Sequence, residues 1–413
     1  MPTEQAPTRG VTGARVAVVA AVAVVVATAL LAYGNRHDFF DLRIYVAAMR
    51  WWAGGHDLYD YAQPDRVQGE LYFTYPPFAA LLLRPLADLR FCVTIALFTA
   101  GTVAAVGATT WWLVGPLAGA RGWPRWFVAG LATPLVFLIE PTRETVTQGQ
   151  INMLLIVLIV GDLLLAVPRR WRLAGAGIGL ATALKLFPGI FIVYLLITRR
   201  WRAAAVASAA AAAATLLAAA VAPRASWQFW TGALWDTDRV GRTDYTGNQS
   251  IQGLLSRLAV PGEAPRWLWL LLVAALAGYG LWRAARAARA GDEVAGLALT
   301  GLVAALISPI TWPHHVYWFV PAVVVLVGAA SAPGADRGRR WAAGLLACGV
   351  YAVAVFGVVS FVDFGAAPEP TDDAGEFLLR NAYVLVSVLL LAALPVERTM
   401  RREVPVYTRS AAE

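Results

Sequence analysis

The sequence predicts an all-α, polytopic membrane protein, and three observations carry that expectation. Apolar runs long enough to cross a bilayer recur along the whole chain. Only 15% of the 413 residues are charged while 59% are hydrophobic, whereas a soluble domain carries about 25% charged residues. The basic residues fall in short clusters between the apolar runs, often beside tryptophan, as in Arg199-Arg200-Trp201-Arg202. That is the pattern of cytoplasmic membrane loops with an interfacial aromatic belt. The net charge of +8 is therefore read as topology, with no nucleic-acid partner.

A crossing helix needs about 20 apolar residues. Runs that meet this, or nearly so, cover 15–33, 90–114, 125–141, 150–167, 202–222, 266–283, 294–308, 316–330, 341–362 and 379–396. The Ala-rich stretch 203–222 is the weakest, because alanine contributes little transfer energy. The run 173–198 differs from the others. Basic clusters bound it on both sides, and Lys185-Leu186-Phe187-Pro188 interrupts its middle. Proline disfavours helix in the residue before it and lacks a backbone donor. Two short helices that rise to the break and return satisfy both facts, and such broken backbone is tolerated only where it lines a cavity.

With the N-terminus placed in the cytoplasm, the clusters Arg121–Arg125, Arg169–Arg172, Arg199–Arg202, Arg283–Arg289, Arg337–Arg340 and Arg398–Arg402 all fall inside. The outside segments are 34–89, 142–149, the tip at 185, 223–265, 309–315 and the acidic 363–378, with Asp363, Glu369, Asp372, Asp373 and Glu376. This gives about twelve membrane segments in one integral domain spanning 1–413. Residues 1–14 and 397–413 form cytoplasmic tails, 34–89 a first outer loop with amphipathic helices, and 223–265 a second outer loop. A cleaved leader is the competing reading of the first run, which is longer than a signal peptide's apolar core and lacks its small-residue exit. Cys92 and Cys348 lie in apolar runs with no metal or redox spacing.

The topology was drawn from basic clusters, yet it gathers the unusual polar residues on the outer face. In Asp38-Phe39-Phe40-Asp41-Leu42-Arg43-Ile44-Tyr45, apolar residues at 42, 45, 48, 49 and 52 recur at helical spacing, which predicts an amphipathic surface helix. Asp41 is a candidate catalytic carboxylate and equally a candidate N-cap. Glu140-Pro141-Thr142-Arg143-Glu144 and Gln148-Gly149-Gln150-Ile151-Asn152 crowd charged and amide groups between two spans. Amides both donate and accept, which suits sugar hydroxyls; the competing reading is a polar turn with an Arg–Glu pair.

Lys185 stands in an apolar stretch. A lysine at a helix centre costs roughly 2.5–3.5 kcal/mol on insertion scales, and such charges mark function unless they snorkel. Ser308-Pro309-Ile310-Thr311-Trp312-Pro313-His314-His315 holds two of the four histidines. Neighbours on a helix do not share a face, so a two-histidine metal site is not expected; one histidine in a site and the other at the interface is the preferred reading. Both as belt residues beside Trp312 and Trp318 is the alternative. Trp235-Asp236-Thr237-Asp238-Arg239, with Asn248-Gln249-Ser250, is read as a solvated loop, because no nucleotide-binding fold surrounds its Asp-x-Asp. No phosphate-binding loop, H-E-x-x-H or G-x-S-x-G occurs.

These segments also carry a resemblance. Asp41-Leu42-Arg43-Ile44-Tyr45, Gly55-x-x-Leu58-Tyr59, Tyr75-Pro76-Pro77-Phe78, Gly149-Gln150-Ile151-Asn152, Ala174-Gly175 before Lys185-Leu186-Phe187-Pro188, and Ser308-Pro309-x-x-Trp312-x-His314-His315 together resemble glycosyltransferase family 87. The match is spread over residues 35–320 and rests on order and spacing rather than on one motif. The resemblance implies a GT-C-type membrane fold and a donor that is a polyprenyl-phosphate sugar. Family members include α-(1,2)-mannosyltransferases that extend phosphatidylinositol mannosides or lipomannan, and an arabinosyltransferase using decaprenyl-phosphate arabinose. It further implies an outer-loop aspartate as catalytic base, and Asp41 is the matching position.

The chemistry runs parallel to the resemblance. Inverting transfer from a sugar phosphate needs one base to take the acceptor's proton in the transition state, and fixed cations for the departing phosphate. Asp41 is assigned the first role. Lys185 and Arg143, assisted by His314 or His315, are assigned the second. Glu144, Gln148, Gln150, Asn152, Tyr45, Tyr59 and Tyr75 are assigned to the sugars, with no metal and no cofactor. The partners expected are the lipid-linked donor, a glycolipid or lipoglycan acceptor and membrane lipid. The rival from another class is a lipid-linked-sugar flippase, which would show polar residues on both faces of its pathway.

Overall fold

The computed structural model describes residues 12–260, 262–362, 366, 370–371 and 373–396. The tail 397–413, most of the tail 1–14, and Asp363, Glu369 and Asp372 lie outside the described residues.

Helices coincide with every apolar run. Among the described residues five are long and apolar enough to cross a bilayer: Gly13–Tyr33, Phe91–Arg121, Trp201–Val221, Arg266–Arg289 and Arg337–Phe356. A sixth candidate is a pair, Ala374–Arg380 and Ala382–Ala393, bent by 76°. The remaining apolar helices, such as Arg125–Leu138, Glu293–Ile307 and Phe319–Ala330, have 10–17 residues. Their cores are alanine, leucine and valine packed on neighbouring helices, and the Glu293–Ile307 helix is buried along nearly its whole length.

The long Phe91–Arg121 helix, about 46 Å at 1.5 Å per residue, separates two kinds of chemistry. Its first turns meet the surface helix: Tyr45 packs on Phe98 and Arg43 on Phe91. At its other end Arg121 donates to the Gly328 carbonyl at 2.6 Å, and Arg340 donates to the Ala330 carbonyl at 3.0 Å. Basic clusters thus meet at helix ends far from the polar segments singled out in the sequence.

The 173–198 unit doubles back. Helix Ala176–Leu184 ends at Lys185, which is extended (φ −155°, ψ 125°), and helix Ile190–Ile197 follows a single turn at Phe187–Gly189. The two feet meet, because Arg202 donates to the Arg172 carbonyl at 3.4 Å. Gly175 (φ +105°) sits so close to the Ala203 carbonyl that any side chain would collide. At the lower end of the rising helix, the Ile178 N–H donates to Asp162 at 2.8 Å.

Two segments read as outer loops in the sequence differ from expectation. Residues 34–89 hold the surface helix Phe40–Ala53 and the short helix Pro77–Leu83, but also an antiparallel hairpin, Ala62–Asp65 with Gly69–Tyr72. Asp65 closes its turn by accepting from the Val67 and Gln68 N–H groups at 2.9 and 2.7 Å. Four-residue strands are too short to leave a readable alternation. Residues 223–265 are not merely a solvated loop. Asn248, Gln249 and Ser250 are buried; Arg257, buried beside them, donates to Asn381 at 2.7 Å, and Gln249 donates to the Arg380 carbonyl at 2.7 Å. The segment is stitched to the bend of the 374–393 pair.

Candidate active site

Asp41 is the second residue of the surface helix rather than its N-cap. Phe39 takes the cap position in a left-handed conformation (φ 54°) without a side-chain cap bond, and its N–H donates to the Thr147 carbonyl at 2.8 Å. The Asp41 carboxylate is therefore not consumed by capping. It accepts from Gln150 Nε2 at 2.5 Å. Arg43 is turned away from it, paired with Asp38 at 2.8 Å. Gln150 reaches Asp41 because Gly149 ends the Glu140–Gln148 helix in a left-handed turn (φ +71°), and a Cβ there would stand 2.6 Å from that of Leu42. Only glycine meets both conditions without strain.

From Gln150 the contacts run on to the broken pair. Its Oε1 accepts from the hydroxyls of Tyr45 at 2.9 Å and Tyr75 at 3.1 Å, which stand 2.6 Å apart. Lys185 Nζ is 3.5 Å from the Tyr75 hydroxyl, 3.1 Å from Asn152 Oδ1 and 2.9 Å from His315 Nε2. The Trp312 N–H donates to His315 Nδ1 at 3.1 Å, which fixes the ring and leaves the proton of a neutral imidazole on Nε2, the atom that faces the lysine. A cavity of about 600 Å³ opens on this wall, lined among others by Asp41, Tyr45, Tyr75, Gln150, Lys185 and His315.

Both histidines, not one, line the cavity. His314 faces Glu144, with Nδ1 3.4 Å from the carboxylate, and the two imidazoles stand edge to face at 4.6 Å. Trp318 is no belt residue; it is fully buried, packed on Phe191. Glu144 and Gln148 also line the cavity.

Three sequence candidates do not face it. Arg143 donates to the carbonyls of Leu138 and Val355, the latter at 2.8 Å, and lies over the Tyr33 ring. Its guanidinium ties helix ends together. Tyr59 donates to the Tyr75 carbonyl at 2.8 Å and packs on Phe229, a support behind the wall. Asn152 holds Lys185 from behind. Cavity residues missed or set aside in the sequence include His37, Asp236 and Arg239. Arg239 donates to the Tyr59 carbonyl and covers the Tyr72 ring. For His37 the available signal was that it is one of four histidines and sits beside the Asp38–Tyr45 segment.

Burial raises the Asp41 carboxyl to about 6, against the opposing Gln150 hydrogen bond and Lys185 charge. Burial, then the charges of Glu140 and Asp41, push Glu144 well above the carboxylate range. Burial, then Lys185, holds both histidines far below their ordinary value, so the rings are neutral. The wall thus offers one ionisable base, one buried lysine and several neutral groups that donate and accept. Among the described residues no group of three or more His, Cys, Asp or Glu could hold a metal ion.

The model of glycosyltransferase family 87 matches residues 73–309. A polyprenol-phosphate-mannose-dependent alpha-(1-2)-phosphatidylinositol mannoside mannosyltransferase of Mycolicibacterium smegmatis is 34% identical over 308 residues, 69% of each chain. Its namesake from Mycobacterium tuberculosis is 33% identical over 314 residues, 71% of each chain. A polyprenol-phosphate-mannose-dependent alpha-(1-2)-phosphatidylinositol pentamannoside mannosyltransferase of Mycolicibacterium smegmatis is 32% identical over 364 residues, covering 87% of this chain and 85% of the relative. No solved structure matches. With matches on this scale, the chain belongs to glycosyltransferase family 87 and is a membrane glycosyltransferase.

Proposed function

We propose that the protein transfers a mannosyl residue, with inversion and in α-(1,2) linkage, from a polyprenyl-phosphate donor to a phosphatidylinositol-mannoside or lipoglycan acceptor. The observation that carries this reading is the shared wall: a carboxylate and a buried ammonium face one cavity, joined through Gln150 and Tyr75. Asp41 takes the proton of the attacking hydroxyl, late in the reaction, because that hydroxyl is a weak acid. Lys185, aided by His315, meets the negative charge that grows on the leaving phosphate. A carboxyl with a pKa near 6 is a better proton acceptor near neutral pH than an ordinary aspartate. The names of the relatives support mannose and the phosphoinositide glycolipid.

The accompanying topology is a plasma-membrane protein of about twelve segments, with both termini cytoplasmic and the cavity opening outside. The separation of Arg121 and Arg340 from Asp41 along the Phe91–Arg121 helix supports it, since basic clusters stay inside. Impermeant thiol labelling of single-cysteine variants in intact cells tests the sidedness: labelling at 41 with protection at 202 is expected, and the reverse pattern overturns it.

The activity is tested with purified protein, labelled polyprenyl-phosphate mannose and a phosphatidylinositol-mannoside acceptor, in detergent. Transfer from the mannose donor is expected. Transfer from the arabinose donor alone would change the sugar, and translocation of lipid-linked sugar without transfer would replace the reaction.

A further inference from the structure

Next to the Asp41 wall lies a second polar patch in which both ring nitrogens of His314 and the side-chain oxygen of Gln148 find no protein partner. Glu144 is 4% exposed at its side chain and lines the same cavity as Asp41. Its nearest ring nitrogens are His314 Nδ1 at 3.4 Å and His37 Nε2 at 3.9 Å. The second is too far for a hydrogen bond and the first is at the margin. Both nitrogens of the buried His314 lack a hydrogen-bond partner, and so does the carbonyl oxygen of Gln148. Buried polar atoms are otherwise almost always paired, so a cavity wall carrying several orphans is built for something that enters the cavity.

The surrounding charges decide the form of Glu144. On its own helix stand Glu140, which opposes ionisation, and Arg143, which favours it less strongly and whose Nη1 donates to the Leu138 and Val355 carbonyls. From the surface helix Asp41 faces it, a like charge. From the 313–315 turn come His314, whose backbone N–H donates to the carboxyl, and a ring held neutral by burial. His37 approaches from the segment before the surface helix, also held towards neutral by burial. No cation is hydrogen-bonded to the carboxyl among these groups. An ionised carboxylate here would be buried beside two others, which is the arrangement that keeps a carboxylic acid protonated.

We propose that Glu144 works as an un-ionised carboxylic acid that, with His314 and Gln148, grips the hydroxyls of the acceptor sugar beside the base. The inference rests on the glycosyl-transfer reading. A protonated carboxyl supplies one donor and one acceptor, a neutral imidazole one of each, and the amide both kinds. Such a set fits a polyol, whose hydroxyls each donate and accept, and would meet a phosphate poorly. Among the charges that act on Glu144 is Asp41 and not Lys185, which assigns the carboxyl to the acceptor, because the acceptor hydroxyl must come to Asp41 while the donor phosphate goes to Lys185. Glu144 touches the acceptor away from the reacting atoms and is thus a binding residue, not a second base.

The test uses full-length protein in nanodiscs with two readouts. Difference infrared spectra of wild type against Glu144→Gln at neutral pH should contain the carbonyl stretch of a protonated carboxyl group; its absence means that Glu144 is ionised and overturns the proposal. Direct binding of a phosphatidylinositol-mannoside glycolipid should weaken about tenfold in Glu144→Leu, the scale of a lost buried hydrogen bond, and recover in Glu144→Gln, which restores a neutral donor and acceptor. Failure of Glu144→Gln to recover binding, or weakening of polyprenyl-phosphate-mannose binding instead, overturns the assignment. Neither readout needs turnover. If wild type shows the infrared band and binds the acceptor but transfers no mannose, the glycosyl-transfer reading fails while the acid form and the binding patch stand.

Discussion

Lys185 and Arg143 are both cations drawn into apolar surroundings, and on charge alone both qualify as phosphate ligands. They differ in what surrounds them. Arg143 donates through Nη1 to two helix-end carbonyls and lies over Tyr33, so its charge is met by fixed dipoles and an aromatic face. Lys185 is held by Asn152 and the Tyr75 hydroxyl with His315 Nε2 beside it, neutral groups that surround the amine without a direct anionic partner, at the edge of an open cavity. Burial of a charge is costly in either case. The partner that offsets it separates a structural cation from one kept ready for a ligand.

The comparison can be broken most severely at its negative counterpart. Asp41→Asn keeps the size of the side chain and, since Asp41 caps nothing, should purify normally. Loss of the base should lower turnover by at least about 100-fold, the lower edge of what general bases contribute, measured as kcat with saturating donor and acceptor. Near-normal transfer would move the base elsewhere. Lys185→Met comes next. It should lower kcat by about 100-fold, the scale of removing one preorganised oxyanion donor, while folded yield holds or rises because insertion becomes easier.

Arg143→Met should reverse that pattern. Two helix-end carbonyls lose a charged donor, costing about 1.5–3 kcal/mol each at most, so the thermal midpoint and yield should fall while the folded remainder keeps its donor KM. A raised donor KM at unchanged stability would make Arg143 a ligand after all.

The pH profile sharpens the same point with a smaller effect. Asp41 must be ionised to act, and its pKa is raised to about 6. Protonation therefore removes activity as pH falls through about 6, with kcat/KM dropping about tenfold per unit below it. An aspartate at its ordinary value would hold full activity to about pH 4. Smallest of all, chelator should change nothing under the proposal that Lys185 rather than a metal meets the phosphate; loss of activity restored by magnesium would overturn it.

Much of this was legible in the sequence. Apolar runs located the helices, and a proline-broken run between two basic clusters predicted the doubling back at Lys185. What stayed hidden is direction. Arg143 and Glu144 are successive residues of one helix, about 100° apart, so only one of the two turns to the cavity, and the choice depends on the partners that the rest of the fold supplies. Asp41 read equally well as a cap, because capping is decided by the conformation of Phe39, which tertiary contact with Thr147 sets. Tyr59 and Tyr75 are both aromatic outer-loop residues, and only packing puts one behind the other. The hairpin at 62–72 escaped notice because its strands are four residues each.

The returning unit has a mechanical consequence. Its feet are joined, and Asp162 pins the lower end of the nine-residue Ala176–Leu184 helix, so the height of the ammonium above that anchor is a matter of counting residues. At 1.5 Å per residue the helix is a ruler of about 13 Å. One inserted alanine would lift Lys185 by about 1.5 Å and swing it by about 100°, out of the grasp of His315, with no atom of the cavity chemically altered.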